Sequence, residues 1–287
     1  MTAATHPGNL PTLLVEGDGP RTVVLVHGWP DTLHVWDSTV QALHHEVRCV
    51  RFTLPGFDPQ APGFPPCAYS LRDILQCLDA VIQRVSPDAP VTLLLHDWGC
   101  LFGYQYALRR TDRVERVIGV DVGDAGSRYH RQEMGWRAMA ITVGYQLWLA
   151  TAWRLGGERG NRMARWMAGK LGAPAAPQDI TAAQGWPYAV QWFGQAGGFG
   201  RLRAFAPTVP MLFIFGQRKP MSFHSRNWAD RIAARPGSRV VGLPTGHWVM
   251  LQRPAEFQRT VVQWLHDTEP MCSPLSGAAS RAARFSA

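Results

Sequence analysis

The run His96-Asp97-Trp98-Gly99 sets a carboxylate between an apolar stretch, Val91 to Leu95, and a helix-like one beginning at Gly99. On a sharp strand-to-helix turn a carboxylate has its oxygens exposed at the carboxyl edge of a parallel sheet, where such sheets bind ligands. The N-terminus of the following helix stabilises negative charge there. An aspartate that only caps the helix fits the same position. Two other short motifs share the context of a strand followed by a loop. His27-Gly28-Trp29-Pro30 follows Thr22 to Val26, and Thr245-Gly246-His247-Trp248 follows the last apolar run. An exposed carboxylate can attack an electrophilic carbon, and a histidine can take a proton from water.

The elements that would carry these residues are legible as alternating patterns. Thr22 to Val26, Val47 to Phe52, Val91 to Leu95, Val117 to Val122, Met211 to Phe215 and Val240 to Leu243 are nearly unbroken apolar runs, which suits strands buried on both faces. Leu71 to Val85 carries apolar residues at helical spacing, and Gly99 to Arg109 and Ala255 to His266 behave alike. Strand alternating with helix predicts a doubly wound, mostly parallel sheet. The alternation stops between about 125 and 206. That segment holds six of the 12 tryptophans and no convincing strand, and it is expected to form a helical insert.

The ordered set of three motifs resembles the α/β-hydrolase superfamily over about residues 20 to 267. More narrowly it resembles the branch with an aspartate nucleophile, the epoxide hydrolases and haloalkane dehalogenases. The resemblance implies an α/β-hydrolase fold, with residues 1–124 and 207–267 as the core, 125–206 as a helical cap, and a weakly ordered tail at 268–287. It implies Asp97 as nucleophile, His247 as general base, and the backbone N–H groups of Trp29 and Trp98 as an oxyanion hole. In such enzymes the aspartate forms an alkyl ester, the histidine activates a water, and the two N–H groups stabilise the resulting oxyanion. Epoxide opening also needs proton donors to the departing alkoxide. Tyr145, in Tyr-Gln-Leu-Trp 48 residues after Asp97, and Tyr188, in Gly-Trp-Pro-Tyr, resemble the two cap tyrosines of epoxide hydrolases. Either can also serve as core packing with a satisfied hydroxyl. Trp29 stands where many dehalogenases carry Asn, which favours epoxide opening. The Trp98 indole remains a candidate halide donor.

Two positions depart from the family. Lys219 occupies the place of the usual third acid, and a lysine cannot orient an imidazolium as a carboxylate does. Asp121, at the end of the preceding core strand, is the preferred replacement over Asp124, although either also suits a helix cap. Leu95 stands two residues before Asp97, where a small residue is usual because strand and helix approach closely. These departures keep a third reading open, a hydrolase-fold protein of weak turnover retained for binding.

Composition excludes other classes. The 287 residues carry +8, with 27 Arg and only two Lys, so a nucleic-acid or anionic-surface partner has to be considered. The charge is uneven, however. Residues 125–206 hold 10 basic groups against three acidic ones, whereas residues 1–124 (−5) and 207–267 (+5) cancel. No run of five like charges exists, which argues against a nucleic-acid partner. The basic cap reads either as a solvated Arg-rich surface or as a rim attracting anionic substrates or lipid. No stretch is long enough for a transmembrane helix, and Met1 to Leu14 lacks a secretory pattern. Five cysteines (Cys49, Cys67, Cys77, Cys100, Cys272) without a C-x-x-C support neither a disulfide framework nor a zinc site. A cytoplasmic protein is therefore expected. No metal, nucleotide-binding motif or organic cofactor is implied. The Trp-rich cap suggests an apolar or aromatic small-molecule substrate, and a homodimer is left open.

Overall fold

The computed structural model describes residues 11–58, 67–200 and 202–268. The expected tail and Cys272 lie outside the described residues, apart from Thr268, which ends the last helix. Seven strands form one sheet in the order β1-β3-β2-β4-β5-β6-β7. They are β1 (Leu13–Glu16), β2 (Thr22–Val26), β3 (Arg48–Phe52), β4 (Val91–His96), β5 (Val114–Val120), β6 (Met211–Gly216) and β7 (Arg239–Leu243). Every neighbouring pair is parallel except β1 with β3. The sheet is the doubly wound, mostly parallel one that the apolar runs predict, with β1 added at an edge.

The unbroken apolar runs follow from burial on both faces. In β2 and β4, Val24, Val26, Leu93 and Leu95 face one layer, and Val23, Leu25 and Leu94 the other. The first layer packs on α2 (Leu71–Val85) and α3 (Trp98–Ala107). The second packs on α1 (Asp37–Leu43) and α10 (Pro254–Asp267), with the short α9 (Val249–Gln252) before it. The α2 helix begins on a capping box. Ser70 Oγ accepts from Asp73 N, and the Asp73 carboxylate accepts from Ser70 N at 2.9 Å. Burying its apolar face of Leu71, Ile74, Leu78, Val81, Ile82 and Val85 supplies about 1.5–3 kcal/mol per large side chain.

Between β5 and β6 the described residues form helices and no strand. They are α4 (Arg128–Glu133), α5 (Trp136–Leu155), α6 (Gly157–Leu171) and α7 (Trp186–Phe193), with short 3-10 turns among them. Leu149, Ala150 and Trp153 of α5 are buried in the same apolar layer as Tyr188, Ala189 and Val190 of α7. β6 then returns the chain to the sheet, and α8 (Arg226–Ala233) connects β6 to β7.

Candidate active site

Asp97 has φ 51° and ψ −122°, a conformation costly for any residue with a Cβ, on the one-residue turn from β4 into α3. Such strain at the edge of a parallel sheet holds a side chain outward. Room for it comes from Gly28, where a Cβ would overlap the Asp97 carboxylate and Trp98 N. Leu95 does not displace the turn. Its isobutyl group lies over Gly103, one helix turn into α3, where a Cβ would collide with it. The usual small residue on the strand is thus exchanged for a glycine on the helix.

The carboxylate oxygens of Asp97 have different surroundings. Oδ2 accepts from the backbone N–H of Trp29 at 2.7 Å. Oδ1 faces His247 Nε2 at 3.7 Å. Burial raises the Asp97 carboxyl above its ordinary value, and His247 and the N–H groups of Trp98 and Trp29 act in the opposite sense.

His247 lies in the loop after β7. Its Nδ1 donates to Asp121 Oδ2 at 2.5 Å, which leaves Nε2 pointing at Asp97. Burial lowers the His247 value, but the Asp121 hydrogen bond and charge outweigh it, and the imidazole is raised above its ordinary value. Asp121 is fully buried at φ 68°, just beyond the last residue of β5. Strand β5 therefore ends two residues earlier than its apolar run suggests. Asp121 Oδ1 accepts from Gly216 N at 2.9 Å and from the Lys219 ammonium. Burial alone would raise this carboxyl, but Lys219 and His247 hold it well below the carboxylate range. Asp124 takes no part. It accepts from Ser225 N and Oγ, each at 2.7 Å, and from Ser127 Oγ at 2.6 Å.

Tyr145 on α5 and Tyr188 on α7 meet edge to face, with ring centroids 6.1 Å apart. Tyr188 also packs against Trp98 and Trp29, at 5.2 and 6.0 Å. Burial raises both phenols, so they stay protonated donors. Tyr145, Tyr188, Asp97, His247 and Trp29 line one cavity of about 440 Å³. Two further candidates stand behind this lining, Asp121 bonded to His247 and Trp98 packed on Tyr188.

Several supporting contacts escaped the sequence reading. His27 Nε2 accepts from Leu54 N at 2.9 Å, so its Nδ1 carries the proton and donates to Gly28 O at 3.0 Å. Burial lowers His27 to about 4, which keeps it neutral. Asp31 is buried and pushed up to about 7, with the Trp248 indole donating to it at 2.9 Å. His96 Nε2 lies 3.3 Å from the carbonyl of His247. The Trp29 indole N–H is buried without a partner at the cavity wall. His27, Trp29, His96 and Trp248 stand inside the three motifs and Asp31 directly after one, but no local pattern states the contacts they make. Among the described residues, no group of three His, Cys, Asp or Glu side chains could hold a metal ion.

The strained turn, the paired histidine and the inserted helices together define a hydrolase scaffold. Residues 23–260 match the alpha/beta hydrolase family, and the chain belongs to it. An epoxide hydrolase of Caballeronia sordidicola is 24% identical over 306 residues, which cover 90% of this chain and 91% of that protein. The "Probable oxidoreductase EphD" of Mycobacterium tuberculosis is 40% identical over 128 residues, but these cover 45% of this chain and only 20% of that protein. The chain therefore corresponds to a small part of that relative. A solved epoxide hydrolase from Bacillus megaterium superimposes with a TM-score of 0.68, covering 89% of this chain and 96% of the other at 18% identity. At that identity the likeness is one of fold.

Proposed function

We propose that the protein hydrolyses an epoxide to a vicinal diol through a covalent ester on Asp97. The observation that carries this is the meeting of one strained carboxylate with two phenols, the buried Tyr188 and the half-buried Tyr145, in a single cavity. Asp97 Oδ1 attacks an epoxide carbon, and the C–O bond of the ring breaks with its electron pair passing to oxygen. Tyr145 and Tyr188 hydrogen-bond that oxygen as its charge grows, and one of them supplies the proton. His247 Nε2 then takes a proton from water, and the hydroxide adds to the carbonyl carbon of the ester. The charge developing on Oδ2 is met by the N–H groups of Trp29 and Trp98, each such donor contributing about 3–4 kcal/mol. Collapse expels the diol oxygen, which takes the proton from His247, while Asp121 stabilises the transient imidazolium. The phenolate regains its proton through solvent.

In this reading residues 125–206 act as a cap that carries both tyrosines over Asp97. Trp29 lines the cavity and contacts the substrate, which is apolar or aromatic, while Trp98 acts through its backbone N–H and by backing Tyr188. A dehalogenase reading stands second, on the Trp29 indole N–H, a buried donor without a partner.

Incubation with styrene oxide and with 1-bromobutane, following diol and bromide separately, discriminates the readings. Diol is expected. Bromide without diol favours the dehalogenase, and neither product favours a binding protein. A His247→Gln variant exposed to styrene oxide should accumulate an alkyl adduct on Asp97 by mass spectrometry, and an unmodified Asp97 would refute the ester.

A further inference from the structure

Large apolar side chains are exposed at nine positions among the described residues, and six of them lie on α5 and α6: Trp136, Ile141, Leu147, Trp148, Leu155 and Trp166. On α5 they form one face. Positions 136, 140, 141, 144, 147, 148, 151 and 155 are all exposed, at the spacing of successive helical turns. Twenty residues make this face about 30 Å long. Leu149, Ala150, Ala152 and Trp153 occupy the inward side and are buried. Trp148 and Trp166 touch across the two helices, with ring centroids 4.9 Å apart, so the apolar surface is continuous. A patch of this extent marks an interaction surface.

Its charge identifies the partner. Helix α5 contains no acidic residue, and Arg137 and Arg154 stand near its ends. On α6, Arg159, Arg162 and Lys170 carry positive charge, while Glu158 is paired to Arg165. The cations sit on the rings themselves, Arg137 5.2 Å from the Trp136 centroid and Lys170 5.7 Å from that of Trp166. Tryptophan with arginine and lysine around an aliphatic strip is the chemistry of helices that lie in a membrane interface. A second copy of this chain fits poorly, since two such faces would oppose like charges. No described helix is long and apolar enough to cross a membrane.

We infer that the outward face of α5 and α6 docks in the plane of an anionic lipid bilayer. Lys170, Leu171 and Gly172 at the end of α6 also line the cavity that holds Asp97. Docking would therefore bring the mouth of the cavity toward the phase in which apolar molecules dissolve. The surface is independent of the reaction proposed above, because it contains none of the reacting groups.

The test is sedimentation of the full chain with phosphatidylcholine vesicles, with and without phosphatidylglycerol, at low and high salt. Binding to the anionic vesicles is expected, weakened by salt, and lower by about tenfold or more on neutral ones. A Trp136→Ser/Ile141→Ser/Leu155→Ser variant, checked for fold by circular dichroism, should lose binding by a similar factor. An Arg137→Gln/Arg162→Gln variant should lose preference for the anionic lipid. Absence of sedimentation, equal binding to neutral vesicles, or binding undiminished in the triple variant would overturn the inference. So would a dimer in analytical ultracentrifugation that the triple variant makes monomeric.

Discussion

Replacing Lys219 with methionine should raise the pKa of His247. Both groups bond to one buried carboxylate, the ammonium to Asp121 Oδ1 and the imidazole Nδ1 to Oδ2. Positive charges on opposite oxygens of one carboxylate lie about 5–6 Å apart. At an effective dielectric of about 20–40 they repel by about 1.5–3 kcal/mol, which is about one to two pH units. Lys219 acts to lower the His247 value, against the larger upward influence of Asp121. Its removal frees that upward influence, so the imidazole holds its proton to higher pH. The measurement is an NMR titration of the histidine Cε1–H signals in the wild type, Lys219→Met and Lys219→Arg. The methionine variant should shift upward and the arginine variant should not. In the proposed mechanism ester hydrolysis needs neutral His247, so its acid limb should move to higher pH by the same amount. An unmoved or lowered His247 in the methionine variant would refute the reasoning, as would an equal shift in the arginine variant.

Gly103→Ala should destabilise by about 1–3 kcal/mol in urea unfolding, because the new methyl collides with Leu95. Adding Leu95→Val should recover part of that loss, and strictly additive effects would disprove the contact. Asp31, at about 7 in the fold and about 4 unfolded, favours the folded state most below pH 4, and that contribution is lost as pH rises through 7. Asp31→Asn should therefore stabilise the protein by about 2–4 kcal/mol more at pH 8 than at pH 5, and a pH-independent difference would contradict this. Asp124→Ala removes the acceptor of Ser225 and Ser127 and should lower thermal stability by about 1–3 kcal/mol, leaving the His247 titration unchanged.

The parts of the site read most directly in the sequence are those fixed at strand ends. Asp97 follows its strand at once and His247 follows β7 after three residues, so the sheet largely dictates where they go. Asp121 was legible only because Lys219 excluded the usual position. Its contact with Lys219 depends on the parallel pairing of Val120 with Ile214, a register that no local pattern states. The agreement of Leu95 with Gly103 was invisible for a similar reason, since it links a strand to a helix eight residues on. Strand β1 was missed because four residues at a sheet edge carry no periodic signal, and α1 because seven residues span only two turns. The charge-bearing surface was half legible. Composition gave the excess of arginine in the insert, but only the fold separates the outward side of α5 from the side that carries Tyr145.

The origin of the acid on β5 has a consequence for how the chain can change. Strands β4 and β5 pair directly, Leu95 with Gly119 and His96 with Val120, so one hydrogen-bonded ladder sets the spacing of Asp97 and Asp121. The loop after β6 is released from supplying a carboxylate. Five of its residues, Arg218, Lys219, Pro220, Met221 and Phe223, line the cavity instead. Apart from Lys219, these side chains can vary in size and polarity without moving either aspartate. Under the proposed function, the preference for one small molecule over another can drift along this loop while Asp97 and Asp121 stay fixed by the sheet.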